Sequence, residues 1–173
     1  MAITLENFAA DCHAALTSLP GTPGREKVRD LLEQVLADPA FVSTYLPEGP
    51  PVRNVLYEDL ELGFAIRAHR SSGPKGGKPH DHGPTWVIYG MAAGENTMTD
   101  WECLARPTDT APGKAARLKD YVMKPGDAHL YDIGDVHSAH AKGDTRVLRV
   151  EGISMEKVKQ LPYEAVDVAR AAE

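Results

Sequence analysis

Glycine and proline punctuate this chain so closely beyond residue 46 that short strands are what its middle can form. Its 173 residues include 15 Gly and 13 Pro, and the run Pro47-Glu48-Gly49-Pro50-Pro51 marks where the pattern changes. Gly and Pro interrupt regular backbone structure and favour turns. Between them, stretches at 54–58, 62–70, 85–91, 97–104, 118–124, 128–132, 135–140 and 146–151 read as strands. The segments 71–79 and 106–114 read as loops. Ahead of position 47 the spacing is helical. Leu5, Phe8, Ala9, Cys12, Leu16 and Leu19 form one apolar stripe, and Val28, Leu31, Leu32, Val35 and Leu36 form another. Thr4 suits an N-cap and Pro20-Gly21 a stop. Thr22 is read as the second cap, with Pro23 at the first helical position, and Asp38-Pro39 ends that helix. The expectation is one mainly β domain over 1–173. It comprises N-terminal helices over 1–45, a β-barrel or double-sheet jelly roll over 50–152, and a tail over 153–173. Val158, Leu161, Val166 and Val168 make that tail partly helical, interrupted by Pro162.

Composition narrows the class. With 42% hydrophobic and 25% charged residues the chain can bury a real core. Nineteen Lys+Arg against 25 Asp+Glu give a net charge of −6, and no basic cluster stands out. That balance argues against nucleic acid and anionic membranes as partners. No apolar run is long enough for a membrane-spanning helix. The opening MAITLENFAADCHAAL has no basic segment before an apolar run, so no signal peptide is expected and the cytoplasm is the expected compartment. Two cysteines, Cys12 and Cys103, make no disulfide framework and read as inert core thiols.

The histidines are informative by position. His80-Asp81-His82 is a His-x-His pair. In an extended backbone residues i and i+2 share a face, so both imidazoles aim at one point while Asp81 points away. A metal ion needs several lone pairs converging in that manner. Two histidines are candidates for a third donor: His137, in Ile133-Gly134-Asp135-Val136-His137, and His129, in Pro125-Gly126-Asp127-Ala128-His129. His140 has the wrong parity relative to His137, and His69 and Arg67 read as structural or solvent-facing.

A Gly-rich loop, His-x-His, a strand and turn, then Pro-Gly-Asp and Gly-x-x-His resemble the two motifs of the cupin superfamily. The resemblance implies a double-stranded β-helix with a metal in its mouth, and, because the Pro-Gly-Asp turn starts a strand in that family, His137 rather than His129 as the third ligand beside His80 and His82. The usual cupin has a Glu four residues after the second His; here that position is Trp86. A three-His site lacking that carboxylate is similar to the thiol dioxygenases, the cysteine and 3-mercaptopropionate dioxygenases. Pro79-His80-Asp81-His82-Gly83 followed by Trp86 resembles that family, as do the two N-terminal helices. By the same resemblance Arg53, in Arg53-Asn54, stands where the family binds the substrate carboxylate, and Trp86 is a candidate pocket wall. The family's late Ser-x-His-x-Tyr pattern is absent: Arg149 and Glu151 occupy the His and Tyr positions, and Val87 replaces the Cys that some members crosslink. Arg149, Glu151 and His129 are therefore candidates for hydrogen bonding around the metal. For Arg149 and Glu151 a solvated pair on the outer face is the competing reading, and Tyr89 and Tyr131 share that ambiguity.

The implied activity is a non-haem Fe(II) dioxygenase that uses O₂ to convert a small thiol carboxylate to its sulfinate. Zn, Ni or Mn are the other metals such a site suits. Alternatives are a diketone-type or Zn-dependent cupin enzyme, or a non-catalytic ligand-binding cupin. A homodimer is the assembly the resemblance suggests.

Overall fold

The structure, a computed structural model, describes residues 3–167. Three helices come first: α1 (Leu5–Ser18), α2 (Thr22–Leu36) and α3 (Pro39–Tyr45). Ten strands follow: β1 (Val52–Glu58), β2 (Ala65–Ser71), β3 (Lys75–Gly76), β4 (Val87–Ala93), β5 (Asn96–Ala105), β6 (Gly113–Met123), β7 (Ala128–Tyr131), β8 (Val136–Ala141), β9 (Thr145–Glu151) and β10 (Tyr163–Ala165). They form two five-stranded sheets, ordered β1-β2-β9-β4-β7 and β10-β6-β5-β8-β3. The architecture is a mainly β double-stranded β-helix with an N-terminal helical cap, as the sequence predicts. No described helix is long and apolar enough to cross a membrane.

The helix ends follow local chemistry. The Thr4 hydroxyl accepts from the Asn7 N–H at 3.2 Å, a side-chain N-cap. Asp38-Pro39 does two jobs: α2 stops there, and Asp38 caps α3 by accepting from the Ala40 N–H at 2.9 Å. Two helices were expected, so α3 is a correction. Thr22 is another, since it lies inside α2 behind Gly21 and donates its hydroxyl to Asp132 Oδ2 at 2.7 Å. Arg25 pairs with the same carboxylate, tying α2 to the loop after β7.

The helices cover the outer face of the first sheet. Phe8, Val28, Leu32, Phe41 and Leu46 pack with Ile66, Ala68, Ile88, Leu148 and Val150 in one core. Each such large side chain contributes about 1.5–3 kcal/mol on full burial. Helix α2 lies so close to β4 that a Cβ on Gly90 would stand 2.6 Å from Leu36 Cδ1, which is why glycine occupies this strand interior. A second cluster of Met91, Met98, Met123, Tyr131 and Val147 fills the barrel.

The segment 71–79 is less irregular than its composition implies, because β3 pairs with β8 and Gly77 N–H bonds Ala139 O at 2.9 Å. The segment 106–114 is a shorter loop than expected, since β6 begins at Gly113. The tail is mostly non-helical: a single 3₁₀ turn at Met155–Lys157 precedes β10, which runs parallel to β6. Val168 lies outside the described residues.

Candidate metal centre

The backbone brings the histidines together before their side chains do. His80 and His137 exchange both backbone hydrogen bonds, at 3.0 and 2.9 Å, in an isolated antiparallel bridge. Residues so paired present their side chains to one face. His82 follows at the i+2 position. Asp81 points to the other side, where it accepts from Tyr163 Oη at 2.8 Å, from the Gly83 N–H at 3.0 Å and from Arg106 at 3.3 Å. The residue between the two histidines is thus the anchor that holds the segment to the second sheet.

The donor nitrogens of His80, His82 and His137 all lie within 4.8 Å of one another. Ring centroids are 5.3 Å apart for His80 and His82, 4.6 Å for His80 and His137, and 4.9 Å for His82 and His137. His80 Nδ1 lies 2.9 Å from the Lys78 carbonyl. A carbonyl only accepts, so Nδ1 carries the proton and Nε2 keeps its lone pair for a ligand. His137 is fully buried, stacks on Tyr131 at 3.7 Å, and has no hydrogen-bond partner on either ring nitrogen. An orphaned buried imidazole is costly unless something accepts its lone pair, and a metal ion does so. Burial pushes the pKa values of all three imidazoles down, that of His82 to about 2 with help from Arg149 and His80. They are neutral, as metal donors must be. By these tests the group fits an ion.

The histidines border a cavity of about 480 Å³. Its wall carries Arg53, Arg67, Lys75 and Arg149 against Glu151 and Glu156, an excess of cations in a chain of net charge −6. Glu151 has no exposed surface. Its Oε1 lies 3.1 Å from Arg149, its Oε2 lies 3.6 Å from Arg67, and Oε2 accepts from the Met155 N–H at 2.9 Å. Arg67 also donates to Glu156 at 2.6 Å. The Arg149 guanidinium lies 4.7 Å from the centre of the Tyr89 ring. His69 is held neutral, its pKa pushed down to about 2 by burial and then by Arg149, Arg53, Arg67 and Lys75. The segment after β9 closes one side: Gln160 Nε2 donates to Asp81 O at 2.9 Å and lies 3.5 Å from His82 Nδ1.

Two expectations need correction. Trp86 does not line this cavity. It sits in the core under the helices, with Arg25 6.0 Å from its ring and Gly152 packed against its indole. The turn at 83–85 separates it from the His-x-His segment, and its parity matches Ile88 and Gly90, which face α2. His129 lies against Tyr121 and Tyr131, with ring centroids 5.1 and 4.7 Å away, and lines another cavity of about 320 Å³. Arg53 lines the main cavity, and Arg149 and Glu151 face inward rather than outward. Arg67 and His69, read as structural or solvent-facing, are cavity residues as well. Their two-residue spacing within β2, repeated by Arg149 and Glu151 in β9, is the signal that could have placed all four together.

No protein-family model matches the chain, and neither does any curated protein sequence. Solved structures are similar in shape. An uncharacterised conserved protein with a double-stranded β-helix domain from Klebsiella pneumoniae subsp. pneumoniae MGH 78578 is 16% identical, covering 71% of this chain and 88% of that one, with a TM-score of 0.47. A cupin superfamily protein from Desulfitobacterium hafniense DCB-2 is 14% identical over 62% of this chain and 81% of that one, with a TM-score of 0.44. A hydroquinone 1,2-dioxygenase in complex with Cd²⁺ and 4-hydroxybenzonitrile is 13% identical over 78% and 80%, with a TM-score of 0.47. At these values the likeness assigns no chemistry.

Proposed function

We propose that the chain is a metal-dependent dioxygenase of the cupin type that converts a small thiol carboxylate to its sulfinate, with His80, His82 and His137 holding Fe(II). The observation that carries this reading is the convergence of three neutral imidazoles beside a cavity with a cationic wall. Nitrogen donors with open positions suit iron and suit Zn and Ni as well, with Mn the weaker fit, and the proposed use of O₂ is what selects iron. When bound, the ion would supply the redox chemistry that joins a thiolate to O₂.

The remaining work belongs to the chain. Arg53 has no ion-pair partner among the described residues, so its guanidinium fork is free to grip a carboxylate in two places. Glu151 holds Arg149 in the wall, keeping a positive charge over Tyr89 and near the ligand's acid group. Met155, Glu156 and Gln160 border the cavity and limit water at the reacting sulfur. The Lys78 carbonyl keeps the His80 proton on Nδ1.

The test is oxygen uptake by iron-loaded protein with 3-mercaptopropionate, cysteine and cysteamine. The reading requires uptake with a thiol carboxylate, one O₂ per sulfinate, and weak uptake with cysteamine, which has no acid group. A second reading is favoured by Arg149 and Glu151, which stand where the resembling family has His and Tyr: the same centre acts on a different small anion. Stoichiometric metal binding with no uptake from any of the three thiols would select that second reading.

A further inference from the structure

We propose that Arg149, with Arg67 and His69, builds a second acid-binding subsite inside the cavity, beyond Arg53 at its rim, so that the ligand is a small dicarboxylate rather than an amino acid. As a statement about the substrate this rests on the reading proposed above, and it names the class: a thiol with two acid groups. Arg53 and Lys75 are exposed, whereas the side chains of Arg67 and Arg149 are only 5% and 12% exposed. Arg67 Nε, Arg149 Nε and Nη2, and His69 Nε2 are buried without hydrogen-bond partners in the chain. Glu151 Oε1 lies 3.1 Å from Arg149 Nη2 but out of line for a hydrogen bond, and its Oε2 accepts from the Met155 N–H. Nε and Nη2 form one edge of the guanidinium fork, an edge that grips a carboxylate in two places. A guanidinium only donates and keeps its protons, so the partner that this edge calls for is an acceptor.

Register and charge point the same way. Strands β2 and β9 set Arg67 directly opposite Arg149, and β1 sets Arg53 opposite His69. Like charges so placed repel. Along this wall Arg53, Arg67, Lys75 and Arg149 meet two carboxylates, Glu151 and Glu156, and neither Arg53 nor Lys75 has an ion-pair partner among the described residues. Two positive charges are left over, the complement of two acid groups. Arg53 and Arg149 start two strands and two residues apart, about 12 Å between Cα atoms. A diacid of about four carbons, gripped at each end by a guanidinium, spans that separation. A protonated amine offers no acceptor and would stand among the same four cations, so cysteine is disfavoured.

The experiment is calorimetric titration of the untagged full chain with succinate, butyrate and 4-aminobutyrate, as purified and again after its metal is chelated. The proposal requires succinate to bind about tenfold or more tightly than butyrate in both preparations, and 4-aminobutyrate no more tightly than butyrate. Arg149→Lys, which keeps the charge beside Glu151 and loses the fork, must shrink the preference for succinate to about twofold or less. Equal binding of succinate and butyrate overturns the second subsite and leaves the thiol reading standing, as does a preference seen only with metal present, where the ion and not Arg149 takes the second acid. A preference that survives in Arg149→Lys removes that residue from the subsite. With iron-loaded protein, kcat/KM from oxygen uptake must be about tenfold or more higher for mercaptosuccinate than for cysteine; equal values overturn the substrate class. If succinate is preferred and no thiol is oxidised, the two subsites stand and the thiol reading falls.

Discussion

Strands β2, β4 and β9 turn Ile66, Ala68, Ile88, Leu148 and Val150 toward the helices, and Arg67, His69, Tyr89, Arg149 and Glu151 toward the cavity. Along these three strands both faces are covered, yet they are built from opposite materials. The helical side is hydrocarbon packed to exclude water. The cavity side is a network of charges in which Glu151 faces two arginines at once. The outer face holds the sheet in place, and the inner face uses that rigidity to keep Arg149 and Tyr89 beside the histidines. Where one side of a strand lies under helices and the other borders a cavity, inward polar residues mark a site rather than a surface.

Variants on the two faces separate these roles. The largest stability loss is expected from Glu151→Ala, which leaves Arg149 without its carboxylate and Arg67 with Glu156 alone. Breaking a buried ion network in this way costs about 3–5 kcal/mol, read as a lower denaturant midpoint. Leu148→Ala, on the opposite face of the same strand and fully buried, should cost about 3 kcal/mol through lost contacts and a cavity. Its metal content should stay at the wild-type level. If Leu148→Ala emptied the metal site, the two faces would not be separable. Arg53→Met should leave stability within about 0.5 kcal/mol. It should lower kcat/KM for thiol carboxylates about 10- to 100-fold, with little effect on cysteamine. Equal losses for both substrate types would remove Arg53 from the carboxylate role.

The smallest effect concerns the rim of the helical face. His13 Nδ1 lies 2.8 Å from Asp59 Oδ2, linking α1 to the β1–β2 turn. The hydrogen bond to Asp59 raises the His13 pKa above its ordinary 6.5. Burial alone would raise Asp59, but the Leu62 and Glu61 N–H groups and His13 hold it below its ordinary 3.8. The stabilisation from His13 is therefore complete below pH 6.5 and fades as pH rises through the raised value. That from Asp59 is complete above about pH 4 and fades as pH falls through the lowered value. A proton NMR titration should give His13 a midpoint above 6.5 that returns to it in Asp59→Asn. An unchanged midpoint in that variant would dissolve the link.

The helical stripes, the strand-rich middle and the three converging histidines were legible because each rests on a period. The Val28-Leu32-Val35 spacing yields a helical face, and His80 and His82 share a side two residues apart. His137 could be preferred over His129 only by a resemblance, whereas the structure pairs His137 with His80 across a bridge. Arg149 and Glu151 could not be assigned a side, because alternation states that two residues agree and not which face is covered. That depends on where the helices dock. Trp86 was misplaced because the turn after His82 resets the parity. The closing of the cavity by Met155, Glu156 and Gln160 depends on long-range contacts that no local pattern encodes.

Metal analysis of the untagged chain beside His82→Ala and His137→Ala tests the centre most directly. The account predicts about one bound ion per wild-type chain, and loss of stoichiometric binding in both variants with the barrel still folded. Full metal content in either variant, or a wild-type chain that binds no iron, zinc, nickel or manganese, would contradict it.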